Sequence, residues 1–412
     1  MTRSGDRPAD VPLPLAGMRV VDFSRQISAP YATMLLGDLG ADVIKIEQPG
    51  TGDDTRRLQP TRGDLSSVFI AMNRNKRSIE LDLKSPDDLS VAKDLIAGAD
   101  ILVENFTTGV MHRYGLDYET LAAKYPGLIY CSVTGYGQRG AFATRPGFDP
   151  VVQADCGLQS VNGYANAPPV RIAAPAIDVA TGMMTLNAIQ AAVIARLRNG
   201  RGQKVEVALF DVGVALSAYF PVTYLWHGAD QGRTGNRSQV GAPADLFSAS
   251  DGDFVMSCST DRMFVALARS VIDRPDLADD PDFATNGARL RNHAALTAIL
   301  APIFRQRTRA AWAEAMQAVG IPAAGVRSVA EAVESPEAKD RGLFGHLDHP
   351  VAGRVPNVAP PFRLEGVAMP QPRPAPALGA DTREVLRDVL GYTDDRIDRF
   401  MAGRPATTVR HG

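Results

Sequence analysis

Asp178 is the residue whose setting most invites chemistry. In "RIAAPAIDVATGMMTLNAIQAAVIARL", from Arg171 to Leu197, it is the single acid among apolar and small side chains. A carboxylate moved into such surroundings loses hydration that something must replace. Two readings stand. As an N-cap, Asp178 would accept the free amides of the long helix that follows. As a nucleophile, it would attack an acyl carbon, held in place and kept ionised by that same helix terminus.

Cations form the second group of interest: Arg56 and Arg57, then Arg74, Lys76 and Arg77, with Lys84 closing the run. Arginine forks suit phosphate oxygens, whereas charges beside a strand are commonly solvated surface groups. Asp149, in "GFDP", either assists a site or caps the helix "DPVVQADCG". The six histidines, His112, His227, His293, His346, His349 and His411, show no metal-ligand spacing, and no H-E-x-x-H, G-x-S-x-G or S-x-x-K motif occurs. No metal is expected.

The elements that position these residues follow from pattern. "MRVVDF" reads as a strand, "SAPYATMLLGDLG" as a helix capped by Ser28 and left through Gly40, and "ADVIKIE" as the next strand. "SIELDL", "DILVENF", "GLIYCSVTGYG" and "QKVEVALF" continue the strands, with a helix opened by Ser85 and Pro86 and another in "LDYETLAAKY" between them. This alternation predicts a doubly wound, Rossmann-like α/β sheet. After Asp178 a helix carries Met183, Leu186, Ile189, Val193 and Leu197 at three- and four-residue steps. The first turn, "DFSRQISAP", has no glycine, so an NAD or FAD fingerprint is absent, and "PGTGDDTRR" lacks P-loop spacing.

The 412 residues exceed one core's usual size. A Gly- and Ser-rich stretch, Gly228 to Phe247, marks a boundary. We expect a large α/β domain over 1–225, a smaller, mainly helical one over 226–325, and a linker with a C-terminal segment over 326–412. That last segment is too proline-rich for regular structure before "REVLRDVLGY". A formal net charge of -2 offers no global basic face for nucleic acid or an anionic membrane. Cys131, Cys156 and Cys258 read as buried thiols of a reducing cytosol. With neither a signal-like N-terminus nor about 18 consecutive uncharged apolar residues, the chain is expected to be cytoplasmic.

Taken together, "LAGMRVVDFSRQISAPYATMLLGDLGADVIKIEQPGTGD", "NRNKRSIELDLKSP", "DILVENFTTGVMHRYGLDYETL", "GFDPVVQADCG", "AIDVATGMM", "GRGQKVEVALFDVG", "HPVAGRVPNVAPPFRL" and "PALGADTREVL" resemble the class III CoA-transferases, which include formyl-CoA transferase-like, carnitine CoA-transferase-like and α-methylacyl-CoA racemase-like enzymes. The resemblance implies that Asp178 attacks a donor acyl-CoA, forming a mixed anhydride and releasing CoA thiolate before acceptor exchange and return of CoA. It implies CoA contacts at Ile27, Ser28, Leu81, Lys84, Asn105, Phe106 and Arg113, with Lys84 and Arg113 facing phosphates and Phe106 near the adenine. It also implies an interlocked homodimer, with acyl-CoA and a small carboxylic acid as substrates.

Several positions depart from that pattern. Gln48 and Ile27 stand where formyl-CoA transferase-like members have arginine and glutamine, and "GNRSQVGAPADLF" keeps only Gly241 of a glycine-rich shielding loop. Oxalate is therefore a less favoured acceptor. Phe148 replaces the histidine of racemase-like members, and a phenyl ring cannot carry a proton. Transfer is preferred over 2-methylacyl-CoA epimerisation, and a CoA-binding protein without turnover is the third reading.

Overall fold

In a computed structural model, the residues described are 11–62, 65–367 and 371–402. Contacts divide the chain into two units. The larger comprises Met1–Leu158, Ile172–Pro221 and Arg341–Gly412, and the smaller comprises Gln159–Arg171 and Val222–Asp340.

Among the described residues, the larger unit holds a six-stranded sheet made of β1 (Arg19–Asp22), β2 (Asp42–Glu47), β3 (Lys76–Glu80), β4 (Ile101–Glu104), β5 (Ile129–Thr134) and β6 (Lys204–Ala208). The order is β3-β2-β1-β4-β5-β6, and every pairing is parallel. This is the doubly wound order expected from the alternating pattern, with the switch point between β1 and β4. Successive side chains leave a strand on opposite faces. Val20, Val43, Ile101, Val103, Cys131 and Val205 accordingly enter one core, and Val21, Ile44, Leu102 and Tyr130 the other. Helices α1 (Ser28–Asp38) and α5 (Ala176–Asn199) cover the first face. Helices α2 (Pro86–Ala97) and α3 (Tyr118–Lys124) cover the second, and the short α4 (Asp149–Asp155) packs beside α5.

Helix ends follow local chemistry with one correction. Ser85 caps α2 through the amide of Asp88, and Gly40 leaves α1 with φ +99, as read from the sequence. Ser28, however, does not cap α1. Ile27 holds that position without a side-chain bond, and Ser28 is already helical. On α5, Leu186, Ile189 and Val193 are buried while Leu197 is 74% exposed, so the expected apolar stripe leaves the core before the helix ends. The long helix expected after Asp178 is there, long and apolar enough by composition to cross a membrane, and its buried face belongs to the α/β core.

The smaller unit contains an antiparallel sheet of β7 (Ala244–Ala249), β8 (Gly252–Ser257) and β9 (Ala323–Gly325), which the expectation of a mainly helical region missed. Its core includes Phe247, Phe254, Phe304 and Trp312, whose indole donates to the Phe304 carbonyl at 2.6 Å. The proline-rich tail also holds more order than expected, because β10 (Phe344–His349) and β11 (Gly353–Val358) form a hairpin. A two-stranded ribbon is all edge, and proline is tolerated there. Farther on, Asp381 accepts the Ser78 amide and Glu384 pairs with Arg77, which ties this segment to β3.

Candidate active site

The long helix α5 begins at Ala176 behind Pro175, which offers no side-chain cap. Asp178 therefore lies inside the first turn, and the N-cap reading is overturned. The cap comes instead from another helix. Asp149 Oδ2 accepts the amide of Ile177 at 2.8 Å and that of Asp178 at 3.2 Å. Asp149 cannot cap its own helix, because α4 has Phe148 at its N-cap and Asp149 already within it. Gln153, one turn along α4, fixes the arrangement. Its amide donates to Asp149 Oδ1 at 2.7 Å, and its oxygen accepts the Ile172 amide at 2.8 Å.

Two carboxyl groups thus meet at one helix terminus. Burial, followed by the negative charge of Asp149, pushes the Asp178 carboxyl up to about 7, and the Ser28 hydroxyl opposes that rise as a hydrogen-bond donor. The helix terminus favours the carboxylate, but desolvation and the like charge outweigh it. Asp178 consequently changes protonation near neutral pH, where the sequence reading expected it to stay ionised. Such a group can serve as an adjustable nucleophile or proton carrier.

The switch point is held by another side chain. Asn105, after β4, accepts the Arg25 amide at 2.9 Å and donates to the Arg25 carbonyl at 2.7 Å, joining the loops that follow β1 and β4. Ligands of doubly wound sheets bind at this crevice. The Arg25 guanidinium lies 5.2 Å from the Phe106 ring centre. Glu104, at the end of β4, accepts the Phe106 amide at 2.9 Å and the Ser132 hydroxyl. Burial raises Glu104 to about 7 against these bonds. Glu104 and Phe106 line a cleft of about 290 Å³ together with His112, Tyr130, Arg139 and Lys204.

Residues 15–382 match the family model described as CoA-transferase family III. The chain belongs to CoA-transferase family III. It is 34% identical over 390 residues to human succinyl-CoA:glutarate CoA-transferase, covering 94% of this chain and 89% of that one. Identity to acetyl-CoA:oxalate CoA-transferase of Acetobacter aceti is 37% over 373 residues, covering 90% and 94%. The fold superposes on a CAIB/BAIF family protein from Brucella suis with a TM-score of 0.82 and 37% identity, covering 92% of this chain and 100% of that one. The resemblance read from the motifs is the family found, and the protein is a CoA-transferase.

For a family III member whose substrates carry CoA, the basic cluster needs correcting. Arg56 pairs with Glu47 at 2.6 Å, Arg74 with Asp38 at 2.5 Å, Arg77 with Asp42 at 2.6 Å and Lys76 with Asp22 at 3.1 Å. Arg74, Lys76 and Arg77 are buried and Arg56 is half-buried, and all four are paired, which makes them neither solvated charges nor free phosphate ligands; a charge taken from water requires a partner. Lys45, which sequence reasoning passed over, is fully buried and 2.9 Å from Asp53. Burial would raise Asp53, but Lys45 and the Thr55 bonds hold it at about 2. Three of these cations are read from "NRNKR" as types, but their carboxylate partners come from other strands and helices, so no local signal revealed the pairs.

Six of the seven residues that resemblance assigns to CoA follow the carboxyl ends of strands, and Arg113 ends a short helix, Val110–Arg113. Ile27 and Ser28 follow β1, Leu81 and Lys84 follow β3, and Asn105 and Phe106 follow β4. The Asn105 clamp brings the β1 and β4 sets together, whereas β2 separates β3 from β1. Leu81 is in the core at 2% exposure, with its amide bonded to the Glu47 carbonyl, so its side chain is not a ligand contact. Lys84 and Arg113 are exposed, and neither has an ion-pair partner among the described residues. Sequence reasoning missed Gln153 and Glu104; the run "DPVVQAD" places Gln153 one helical turn beyond Asp149, and that spacing is the signal that could have found it.

Proposed function

We propose that this enzyme moves CoA from an acyl-CoA to a small carboxylic acid through covalent intermediates on Asp178. The observation that carries this reading is a carboxyl group in the first turn of α5, released from capping by Asp149 and tuned to about 7. An Asp178 oxygen attacks the donor thioester carbonyl, the C–S bond breaks, and CoA leaves as thiolate. The thiolate attacks the aspartyl carbonyl of the mixed anhydride, releasing the donor acid and leaving CoA on Asp178. The acceptor carboxylate displaces CoA to form a second anhydride. CoA then attacks the acceptor's acyl carbon, which gives the new thioester and restores Asp178.

The unpaired cations Lys84 and Arg113 suit the phosphates of CoA, and Phe106, beside Arg25, suits a stacked adenine. The names of the two relatives, which cite glutarate and oxalate, support a short dicarboxylic acid as acceptor. Their similar identity to this chain weakens the sequence-based preference against oxalate. A homodimer is supported by exposed apolar side chains on α5, namely Met184, Ile194 and Leu197. Unpaired Cys131, Cys156 and Cys258 fit a reducing cytoplasm.

A panel of acyl-CoAs and dicarboxylic acids, read by mass spectrometry, tests the activity. Exchange of CoA without α-proton exchange into deuterated water supports transfer. Deuterium incorporation without a new thioester would replace it with epimerisation, and tight CoA binding without either would leave a binding protein.

A further inference from the structure

We infer that Asp53, fixed by the buried Lys45, is a positioning residue for acyl-CoA: it holds Gln26 in a left-handed turn and so sets the loop between β1 and α1 at the switch point. The inference deepens the proposed CoA transfer and rests on that reading.

Each residue of this loop is tied to another part of the larger unit. The Ser24 carbonyl accepts from Lys45 Nζ at 2.7 Å, and the Ser24 amide donates to Asp22 at 2.9 Å. Arg25 is held on both sides of its backbone by Asn105. The Gln26 amide donates to Asp53 Oδ1 at 3.2 Å, and its side chain reaches Asp54 at 3.3 Å. Gln26 has φ +69, in the left-handed region that a side chain disfavours and glycine enters freely. A glutamine kept there needs a hold from outside the loop.

Asp53 supplies that hold and is itself immobilised. It is 1% exposed, and the oxygen that accepts Gln26 also accepts the Thr55 amide at 3.0 Å and the Thr55 hydroxyl at 2.8 Å. Its other oxygen stands 2.9 Å from Lys45 Nζ, which is fully buried in β2. A buried ion pair adds little net stability over apolar residues of the same size. Here both members instead reach one loop, Lys45 at Ser24 and Asp53 at Gln26. That loop leads directly into Ile27, the N-cap of α1, and forms the crevice beside β4 where a doubly wound sheet takes its ligand. In a CoA-transferase the ligand of that crevice is the acyl-CoA.

The test measures kcat and KM for acyl-CoA in wild type, Asp53→Ala and Asp53→Ala/Gln26→Gly. Loss of the bond that holds Gln26 lets the turn relax, and we expect Asp53→Ala to raise KM about five- to ten-fold with kcat within about two-fold of wild type. Glycine at position 26 regains the left-handed turn without an acceptor, so the double variant should return KM to within about three-fold of wild type. If Asp53→Ala does not fold, because it strands Lys45, the pair Lys45→Met/Asp53→Leu with and without Gln26→Gly replaces it, since that exchange leaves no buried charge.

An unchanged KM in the folded variant lacking Asp53 would overturn the inference. So would a raised KM that Gln26→Gly leaves as it is, which would make Asp53 a packing residue with no part in the turn. Wild-type enzyme that forms no adduct on Asp178 and moves no CoA would instead defeat the underlying reading, an outcome distinct from an active enzyme indifferent to Asp53.

Discussion

The Asp149 carboxylate accepts the backbone amide of Asp178 at 3.2 Å and, through its charge, raises the carboxyl of the residue it holds. One side chain thus both orders the start of α5 and keeps Asp178 near its titration point. Replacing it by asparagine removes the charge while leaving an oxygen that can accept an amide. We expect Asp149→Asn to move the acid limb of turnover downward by roughly one pH unit. The variant should retain a larger share of its alkaline rate at pH 6 than wild type does. Steady-state kinetics across that range checks this.

Stability should vary with pH through the same groups. Asp178 and Glu104 are raised to about 7 from the ordinary carboxylate values of 3.8 and 4.5. Between those values the unfolded chain has released protons that the folded chain still binds, so stability falls as pH rises through this window and levels off above about 7. Asp178→Asn and Glu104→Gln remove the buried charge. Each should be more stable than wild type by about 1–3 kcal/mol at pH 8 and should show little difference below pH 4. Urea denaturation at both pH values measures it.

The Asn105 clamp predicts an effect on binding. Asn105→Ala frees the β4 loop from Arg25 and leaves the Arg25 amide and carbonyl without these partners. We expect a several-fold rise in KM for acyl-CoA with kcat within about two-fold of wild type, because each lost neutral hydrogen bond contributes about 1 kcal/mol. A fall in kcat at constant KM would place Asn105 with the reacting groups instead.

Much of the fold was legible in the sequence because parallel strands buried on both faces read as short β-branched runs. "RVVD" and "DVIKIE" announced β1 and β2 in this way, and the helix between them carried its own exit glycine. The cap read for Ser28, and the cap reading left open beside the nucleophile for Asp178, failed for one reason. Cap preference identifies a residue type near a helix start, but the cap itself depends on which residue turns helical first and on which distant side chain arrives. For α5 that side chain is Asp149, 29 residues earlier. The buried cations were misjudged for the same cause, since Arg74 finds Asp38 and Lys76 finds Asp22 only once the sheet is assembled. The β10–β11 hairpin was missed because proline content was weighed above the alternation around it.

Buried pairs of this kind are sensitive to the loss of one partner. Arg74 donates two bonds to Asp38, and both side chains are almost fully buried. Arg74→Ala strands that carboxylate, and we expect about 3–5 kcal/mol of destabilisation by chemical denaturation. Replacing both residues with apolar ones of similar size should recover much of it.

The central claim is that Asp178 becomes acylated. Incubation with a competent acyl-CoA, trapping with hydroxylamine and peptide mass spectrometry should find a hydroxamate on Asp178 in wild type and none in Asp178→Asn, which should also lose CoA exchange. Sustained exchange by Asp178→Asn, or a trapped adduct on another residue during normal turnover, would contradict the account.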